Sequence, residues 1–412
     1  INLLTRILIA LILGVFAGVI LGENTIHIKI FGDIFLRLLN MIVLPIIAFS
    51  LIVGAASVSP KKLGSIGIKV FLFYIIMTSL SVIIGLVVSL GLHIGGLEYL
   101  SGGPSSSSSK TIEVNQVSFI DTLLQIFPTN IFKSLAEGQV LPVIFFSLLV
   151  GIALSILKEN SNKKNGALLL FNIFESFVEI IYKIVEWILE YAPIGVFALI
   201  AYTVGSQGVG VLKNLIVIIS VMYLALILLA IIIYAPLLHY VKCSPIKFFS
   251  KAKEAIITAF VTRSSSGTLP ISMDVADKKL GVSKSIYSFS LPIGATMNMD
   301  GTVIYLSVCA VFISTALNID LLNSKIFVLI IVSTLAAIGT AGVPGAGLIM
   351  LVMVLNSLGL SLNDPKVASL YTIILGADAL MDMGRTCINV TGDLVGTVFV
   401  GSIENEIDRT LW

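Results

Sequence analysis

Apolar residues in this chain fall into runs too long for strands or ordinary core helices, at about 3–21, 33–57, 67–94, 119–157, 167–203 and 210–240. About 20 such residues cross the hydrocarbon of a bilayer as a helix, so these runs predict membrane spans. Lysines gather between them at alternate ends: Lys61 and Lys62 after the second, Lys158, Lys163 and Lys164 after the fourth, Lys242, Lys247, Lys251 and Lys253 after the sixth. Basic loops stay in the cytoplasm, which puts these loops and the N-terminus inside. The stretch "SGGPSSSSSK" (101–110) then lies outside and reads as a flexible linker. The first run lacks a small-residue cleavage site and reads as a first membrane helix, not a cleaved signal.

From about 245 the pattern changes. Two apolar segments are interrupted, one by "TRSSSGTLP" (262–270) and one by "IGTAGVPGAG" (338–347), with arms on each side too short to cross comfortably. Each reads as a re-entrant hairpin, whose free backbone groups must be buried in protein or face a hydrated cavity. Lys278, Lys279 and Lys284 keep the loop after the first hairpin inside, so the second hairpin enters from the opposite side. The order hairpin, span, hairpin, span predicts an inverted repeat, and Gly/Pro-interrupted segments in corresponding halves point to a transporter binding site.

Composition fits this reading. The chain is 57% hydrophobic and 12% charged, with mean hydropathy +1.07, which excludes a soluble enzyme. A net charge of +2 argues for neither a nucleic-acid partner nor an acidic tail. Cys243, Cys309 and Cys387 lie far apart without metal-ligand spacing and suit small packing residues better than a disulfide framework.

Against this background "MDMGRTCINVTGD" (381–393) stands out. Asp378, Asp382, Arg385, Asn389 and Asp393 follow one another at spacings of 4, 3, 4 and 4, so one face of a single helix carries all five. A charge at the centre of a membrane helix costs about 2.5–3.5 kcal/mol on insertion scales, so this stripe must face protein or water. An Asp382–Arg385 pair at i, i+3 would account for two charges and leave Asp378 and Asp393 in need of cations. The span before it contains "LPIGATMNMDGTVIY" (291–305), where Asn298, Asp300 and Gly301 favour local unwinding and the release of carbonyl oxygens. Released carbonyls with a carboxylate suit a hard monovalent cation. Thr78 and Ser79 interrupt the third span, where hydroxyls ordinarily bond back to their own helix.

"RSSSGTLP", "GATMNMDGT", "GTAGVPGAG" and "MDMGRTCINVTGD" together resemble the four signature segments of the glutamate/aspartate transporter family, the dicarboxylate/amino acid:cation symporters, most closely its archaeal sodium-coupled members. The resemblance implies an all-α polytopic membrane protein of eight transmembrane helices and two re-entrant helical hairpins, a homotrimer in the cell membrane with both termini cytoplasmic. Scaffold helices 1 and 2 would occupy residues 1–66, the third helix and the outer loop 67–118, and scaffold helices 4 and 5 residues 119–207. Residues 208–412 would form an elevator-like transport domain, with hairpin 1 at about 245–275, helix 7 at 284–316, hairpin 2 at 324–358 and helix 8 at 364–400.

The same resemblance assigns roles. Arg385 would hold the side-chain carboxylate of an acidic amino acid and Asp382 its ammonium, while Asn389, Ser265 and backbone near Arg263 would bind the α-carboxylate. Thr302 and Thr386 add hydroxyls, backbone near Val343 and Gly347 closes over the ligand, and Asp378 supports Arg385. One sodium would sit with Asp393 and the carbonyls of Gly294, Asn298 and Asn389. A second would sit with Asp300, the Asn298 side chain, Thr78 and Ser79, and a third with carbonyls of Thr296, Ala337, Ile338 and Thr340. Some positions depart from the family pattern: Ala337 where Ser is common, and Ile75 where Tyr often occurs, with Tyr74 adjacent, which leaves the register of that site open. Leu306 stands where mammalian members carry a proton-linked Glu, so no proton or potassium counter-transport is expected.

The function this implies is sodium-coupled symport of aspartate, with glutamate close behind. Proton-coupled glutamate or dicarboxylate symport is the neighbouring alternative. An intramembrane aspartyl protease is the remote one, since its G-x-G-D signature is missing and "LGAD" (375–378) is the nearest run. A passive anion channel would need a basic ring along a pore, and the sequence offers none.

Overall fold

The computed structural model describes residues 3–57, 65–94, 127–159, 163–208, 211–319, 321, 324–338, 342 and 344–412. Lys61, Lys62 and the Gly/Ser linker lie outside these. The regular structure of the described residues is helical apart from one isolated bridge, Val282 to Ile407. Helices α1 (Leu3–Leu21) and α2 (Lys29–Ser57) are joined by a short 3-10 turn, Gly22–His27. Then come α3 (Ser65–Gly91), the single turn and a half of α4 (Ile131–Ala136), α5 (Val140–Glu159) and α6 (Lys164–Gln207). The apolar run at 119–157 is thus divided near Gly138, a left-handed position that ends α4. α6 bends by 44° between Ile188 and Glu190, one turn before Pro193, where the missing N–H and the ring's clash with the carbonyl four residues back open the helix.

α7 (Val211–Leu229) continues through a π-helical stretch, Ala230–Tyr234, into Ala235–Tyr240. Two helix–turn–helix units follow where the interrupted segments predict them. The first is α8 (Pro245–Thr262) with α9 (Ser265–Asp274). Between them come α10 (Lys284–Met297) and α11 (Asp300–Ala316), then α12 (Ser324–Ile338) with α13 (Ala346–Ser357), and finally α14 (Pro365–Ile403).

α1, α2, α5 and α6 pack on one another, and α14 packs on α3, α7, α8, α10 and α11, with further contacts to α6 and α1. Among the described residues six helices are long and apolar enough to cross a membrane, and α6 makes a seventh if its bent halves count as one span. Their outward faces are oily, as at Phe16, Leu169, Trp187, Ile216 and Ile231. Such a surface suits lipid or another apolar chain and not water. The protein is therefore a polytopic helical membrane protein.

Candidate functional site

α14 carries the polar stripe that its spacing predicts, and every member is buried: Asp378, Asp382, Arg385, Asn389 and Asp393 are all at or below 5% exposure. The helix tolerates them because α10, α11 and the two helix–turn–helix tips cover that face. At its centre the Arg385 guanidinium serves two carboxylates. Nε donates to Asp382 Oδ1 at 2.9 Å and Nη1 to Asp378 Oδ1 at 2.9 Å. The i, i+3 pair foreseen from spacing is thus a three-residue cluster, and Asp378 does not lack a cation. Tyr305 faces the guanidinium at 4.5 Å from its ring centre, a cation–π contact. Nη2 is buried with no hydrogen-bond partner. Such an orphan is costly in a closed interior and marks a place for an acceptor. Gly347 lies directly over the guanidinium: a Cβ there would come within 2.5 Å of Cζ.

The tips of the two helix–turn–helix units meet above this cluster. Arg263 ends α8 in the left-handed region, at φ 55°, and turns the chain into α9. Ser264 caps α9 by accepting from Gly267 N–H at 2.9 Å, and its hydroxyl donates to Gly342 O at 2.8 Å. Ser266 N–H donates to the same carbonyl at 3.2 Å. Gly342 is needed at this crossing, because a Cβ would lie 2.8 Å from Ser265 Cβ and 2.9 Å from Ala295 O. Ser265 is buried beside it. Gly345 N–H donates to Asp382 Oδ2 at 3.3 Å, and Arg263 Nη1 stands 4.0 Å from the same oxygen. Thr386 donates to Asp382 Oδ1 at 3.2 Å. A cavity of about 20 Å³, room for about one water, is lined by Arg263, Pro344, Gly345 and Asp378 on this side and by Ile7, Ala192 and Val196 of α1 and α6 on the other. Val343 lies outside the described residues.

Asn389 is engaged with the start of α11. Its Oδ1 accepts from Gly301 N–H at 2.8 Å and Thr302 N–H at 3.4 Å, and its Nδ2 donates to Thr302 Oγ1 at 3.2 Å and Met299 Sδ at 3.2 Å. This closeness requires Gly301, where a Cβ would strike Arg385 O at 2.3 Å.

The helix breaks where "NMD" predicts. α10 stops at Met297, Asn298 and Met299 leave helical geometry, and α11 starts at Asp300. Around the break sit two carboxylates whose partners among the described residues are neutral. Asp393 Oδ1 accepts from Asn298 Nδ2 at 3.0 Å, while the Asn298 Oδ1 is buried without a partner. Gly294 packs against Asp393 and the Tyr74 hydroxyl, which donates to Ser290 O at 3.1 Å. Asp300 Oδ1 accepts from Thr78 Oγ1 at 3.4 Å, and Oδ2 from the Tyr234 hydroxyl at 2.6 Å.

The structure brings Thr78, but not Ser79, to Asp300. Ser79 donates to Ile75 O of its own helix at 2.8 Å, and both residues sit on the less buried side of α3. The inward face of α3 is instead Tyr74, Thr78 and Ser81, spaced i, i+4, i+7. Thr296 is exposed and its hydroxyl returns to Ile293 O, leaving only its carbonyl for a ligand role. Ala337 and Ile338 are buried at the end of α12, and Thr340 lies outside the described residues. Sequence reasoning missed Tyr234, Ser81 and Tyr305. Tyr305 ends a motif already singled out and Ser81 lies three residues past Thr78, so both had a signal in the spacing. Tyr234, in the oily run "AIIIY", had none.

The comparison with known proteins agrees with the four motifs. The chain is 35% identical over 411 residues to a proton/sodium-glutamate symport protein of Bacillus subtilis (strain 168), covering 98% of this chain and 93% of the relative. It is 30% identical over 423 residues to the proton/glutamate-aspartate symporter of Escherichia coli (strain K12), covering 99% and 94%. It is 31% identical over 413 residues to a C4-dicarboxylate transport protein of Bacillus subtilis (strain 168), covering 99% and 95%. With the profile of the sodium:dicarboxylate symporter family matching residues 3–403, through both helix–turn–helix units and the whole polar stripe, the chain belongs to that family of transporters.

Proposed function

We propose that this protein is a sodium-coupled symporter of acidic amino acids, with aspartate preferred to glutamate. The observation that carries the reading is the buried Arg385 with a free Nη2, set beside Asp382 under two helix tips, and flanked by Asp300 and Asp393, which have only neutral described partners. An acidic amino acid brings what this cluster can use. Its side-chain carboxylate meets the planar guanidinium, which is shaped for such a group. Its ammonium takes Asp382, and its α-carboxylate is received by Asn389, Ser265 and backbone at Arg263. Thr302 and Thr386 line the side chain, and Val343 and Gly347 close above it. Sodium ions neutralise Asp393, with carbonyls of Gly294, Asn298 and Asn389, and Asp300, with Asn298 and Thr78. A third ion uses carbonyls of Thr296, Ala337, Ile338 and Thr340. Coupling follows because ion binding orders the broken backbone that the amino acid needs, so each ligand favours the state preferred by the other.

The architecture we propose has eight spans with α8–α9 and α12–α13 as re-entrant hairpins of an inverted repeat, in a homotrimer in the cell membrane with both termini cytoplasmic. α3, α7 and everything after it move as an elevator against α1, α2, α5 and α6. Two packing differences support an inward-facing state. α12 and α13 pack against α2, where Gly54 approaches Ile338 O, and α13 also meets α5. Among the described residues α8 and α9 have no comparable seat, and the outer face of α8 is open at Ile246, Ile257 and Val261.

The names of the relatives carry a second reading, proton-coupled symport of glutamate or transport of a C4-dicarboxylate. Purified protein in vesicles, with sodium and proton gradients imposed separately, decides between them. Aspartate uptake is expected only with an inward sodium gradient. Equal uptake on a proton gradient in sodium-free buffer, or a preference for succinate over aspartate, overturns the proposal.

A further inference from the structure

Tyr234 is a polar residue that the function just described leaves unused. It closes the π-helical stretch of α7, and it is fully buried while Ile231 and Ile232 of the same stretch point outward at about 60% exposure. A π-helical turn rotates the residues after it relative to a continuous α-helix, and such turns gather at functional sites. Here the rotation aims a phenol into the polar centre. Its hydroxyl donates to Asp300 Oδ2 at 2.6 Å, the shortest contact that Asp300 makes, and lies 3.5 Å from Ile388 O. α14 makes room for it at Gly392, where a Cβ would come within 2.6 Å of the hydroxyl and 2.7 Å of Asp300 Oδ2.

We infer that Tyr234 is a positioning residue for a cation site at Asp300. By holding Oδ2 it fixes the carboxylate plane and leaves Oδ1, with Thr78 Oγ1 at a long 3.4 Å and the unpaired Asn298 Oδ1, turned toward an ion. A small monovalent cation needs several oxygens converging at fixed distances, and a carboxylate free to rotate supplies them only part of the time. This rests on the sodium reading above but assigns a residue from a helix outside its proposed ligand set.

Tyr234→Phe is the test, read as the sodium concentration that half-maximally raises the melting temperature of the purified protein without amino acid, since a ligand stabilises by mass action. The half-saturating sodium is expected to rise at least tenfold. Tyr223→Phe is the control, because it removes a hydroxyl from the same helix that bonds the α14 backbone, donating to Leu380 O at 2.8 Å, and should leave the midpoint in place. A merely structural role would lower the melting temperature at every sodium concentration without moving the midpoint, and that result overturns the assignment. If Phe at 234 does not fold, 3-fluorotyrosine there strengthens the donor and must shift the midpoint; no shift is equally fatal. A parent protein with no sodium response sinks the sodium reading and this assignment with it, whereas a responsive parent beside a variant with the same midpoint sinks the assignment alone.

Discussion

Arg385 shows how far a single side chain can be argued from its neighbours. Two carboxylates neutralise it, yet one nitrogen remains unpaired in a closed interior, and a buried donor left open is more expensive than one never introduced. Arg385→Lys keeps a cation for Asp378 and Asp382, so the fold should survive, but it loses the planar fork. Affinity for aspartate should fall about 10- to 100-fold, matching the roughly 1.5–3 kcal/mol of hydrogen bonds to a charged group, while binding of a neutral amino acid changes less. Titration calorimetry with aspartate and with a neutral analogue checks this; equal losses would remove Arg385 from its proposed role. The stripe was legible because a 3.6-residue period fixes which residues share a face. Spacing alone did not show that Arg385 bridges two carboxylates, because i, i+3 and i, i+7 partners are both on that face; the resemblance to the family had put Asp378 beside Arg385, and the 2.9 Å contact agrees.

Helices and their ends were legible in another way. Gly, Ser and Pro in the two interrupted segments foretold turns, and "NMD" foretold the break after Met297, because these residues weaken helical hydrogen bonding locally wherever they sit. The segment after α14 carries no such signal, yet it returns across the base of α8 and α9. Ser283 N–H donates to Glu406 O at 2.9 Å, Asp408 N–H to Gly281 O at 2.8 Å, Trp412 Nε1 to Leu280 O at 3.1 Å and Arg409 Nη1 to Val241 O at 2.7 Å. Arg409 also covers the buried Cys243 thiol at 3.6 Å. Arg409→Ala should loosen this strap: amides at 279–283 should exchange about tenfold faster, the equivalent of about 1.4 kcal/mol, and Cys243 should become open to thiol labelling. Unchanged exchange and labelling would mean that the strap contributes nothing to holding that base.

For the molecule as a whole, the contact of α12 and α13 with α2 is the feature that the proposed elevator must break and remake. Gly54 lies where a Cβ would be 3.1 Å from Ile338 O, tighter than ordinary packing. Gly54→Val should therefore disfavour the seated state and slow aspartate uptake by more than tenfold, while thermal stabilisation by sodium at Asp300 and Asp393, among whose proposed ligands Ile338 is not, persists. Loss of both together would point to simple misfolding, and loss of neither would remove this seat from the transport cycle.

The sequence by itself determined that this is a helical membrane protein with two helix–turn–helix units and a buried charged stripe, because span length, Gly/Pro breaks and helical period are local properties that lipid and backbone geometry enforce on any chain. Tertiary structure alone decided which face of α3 looks inward, since Thr78, Ser79 and Ser81 lie on different sides of the helix and their spacing does not choose between them. It also decided that the π-helical stretch of α7 brings Tyr234 to Asp300, and which atoms of Arg385 meet Asp378 and Asp382. These depend on how far each helix is turned against its neighbours, which is set by side-chain packing across the whole body and written in no single segment.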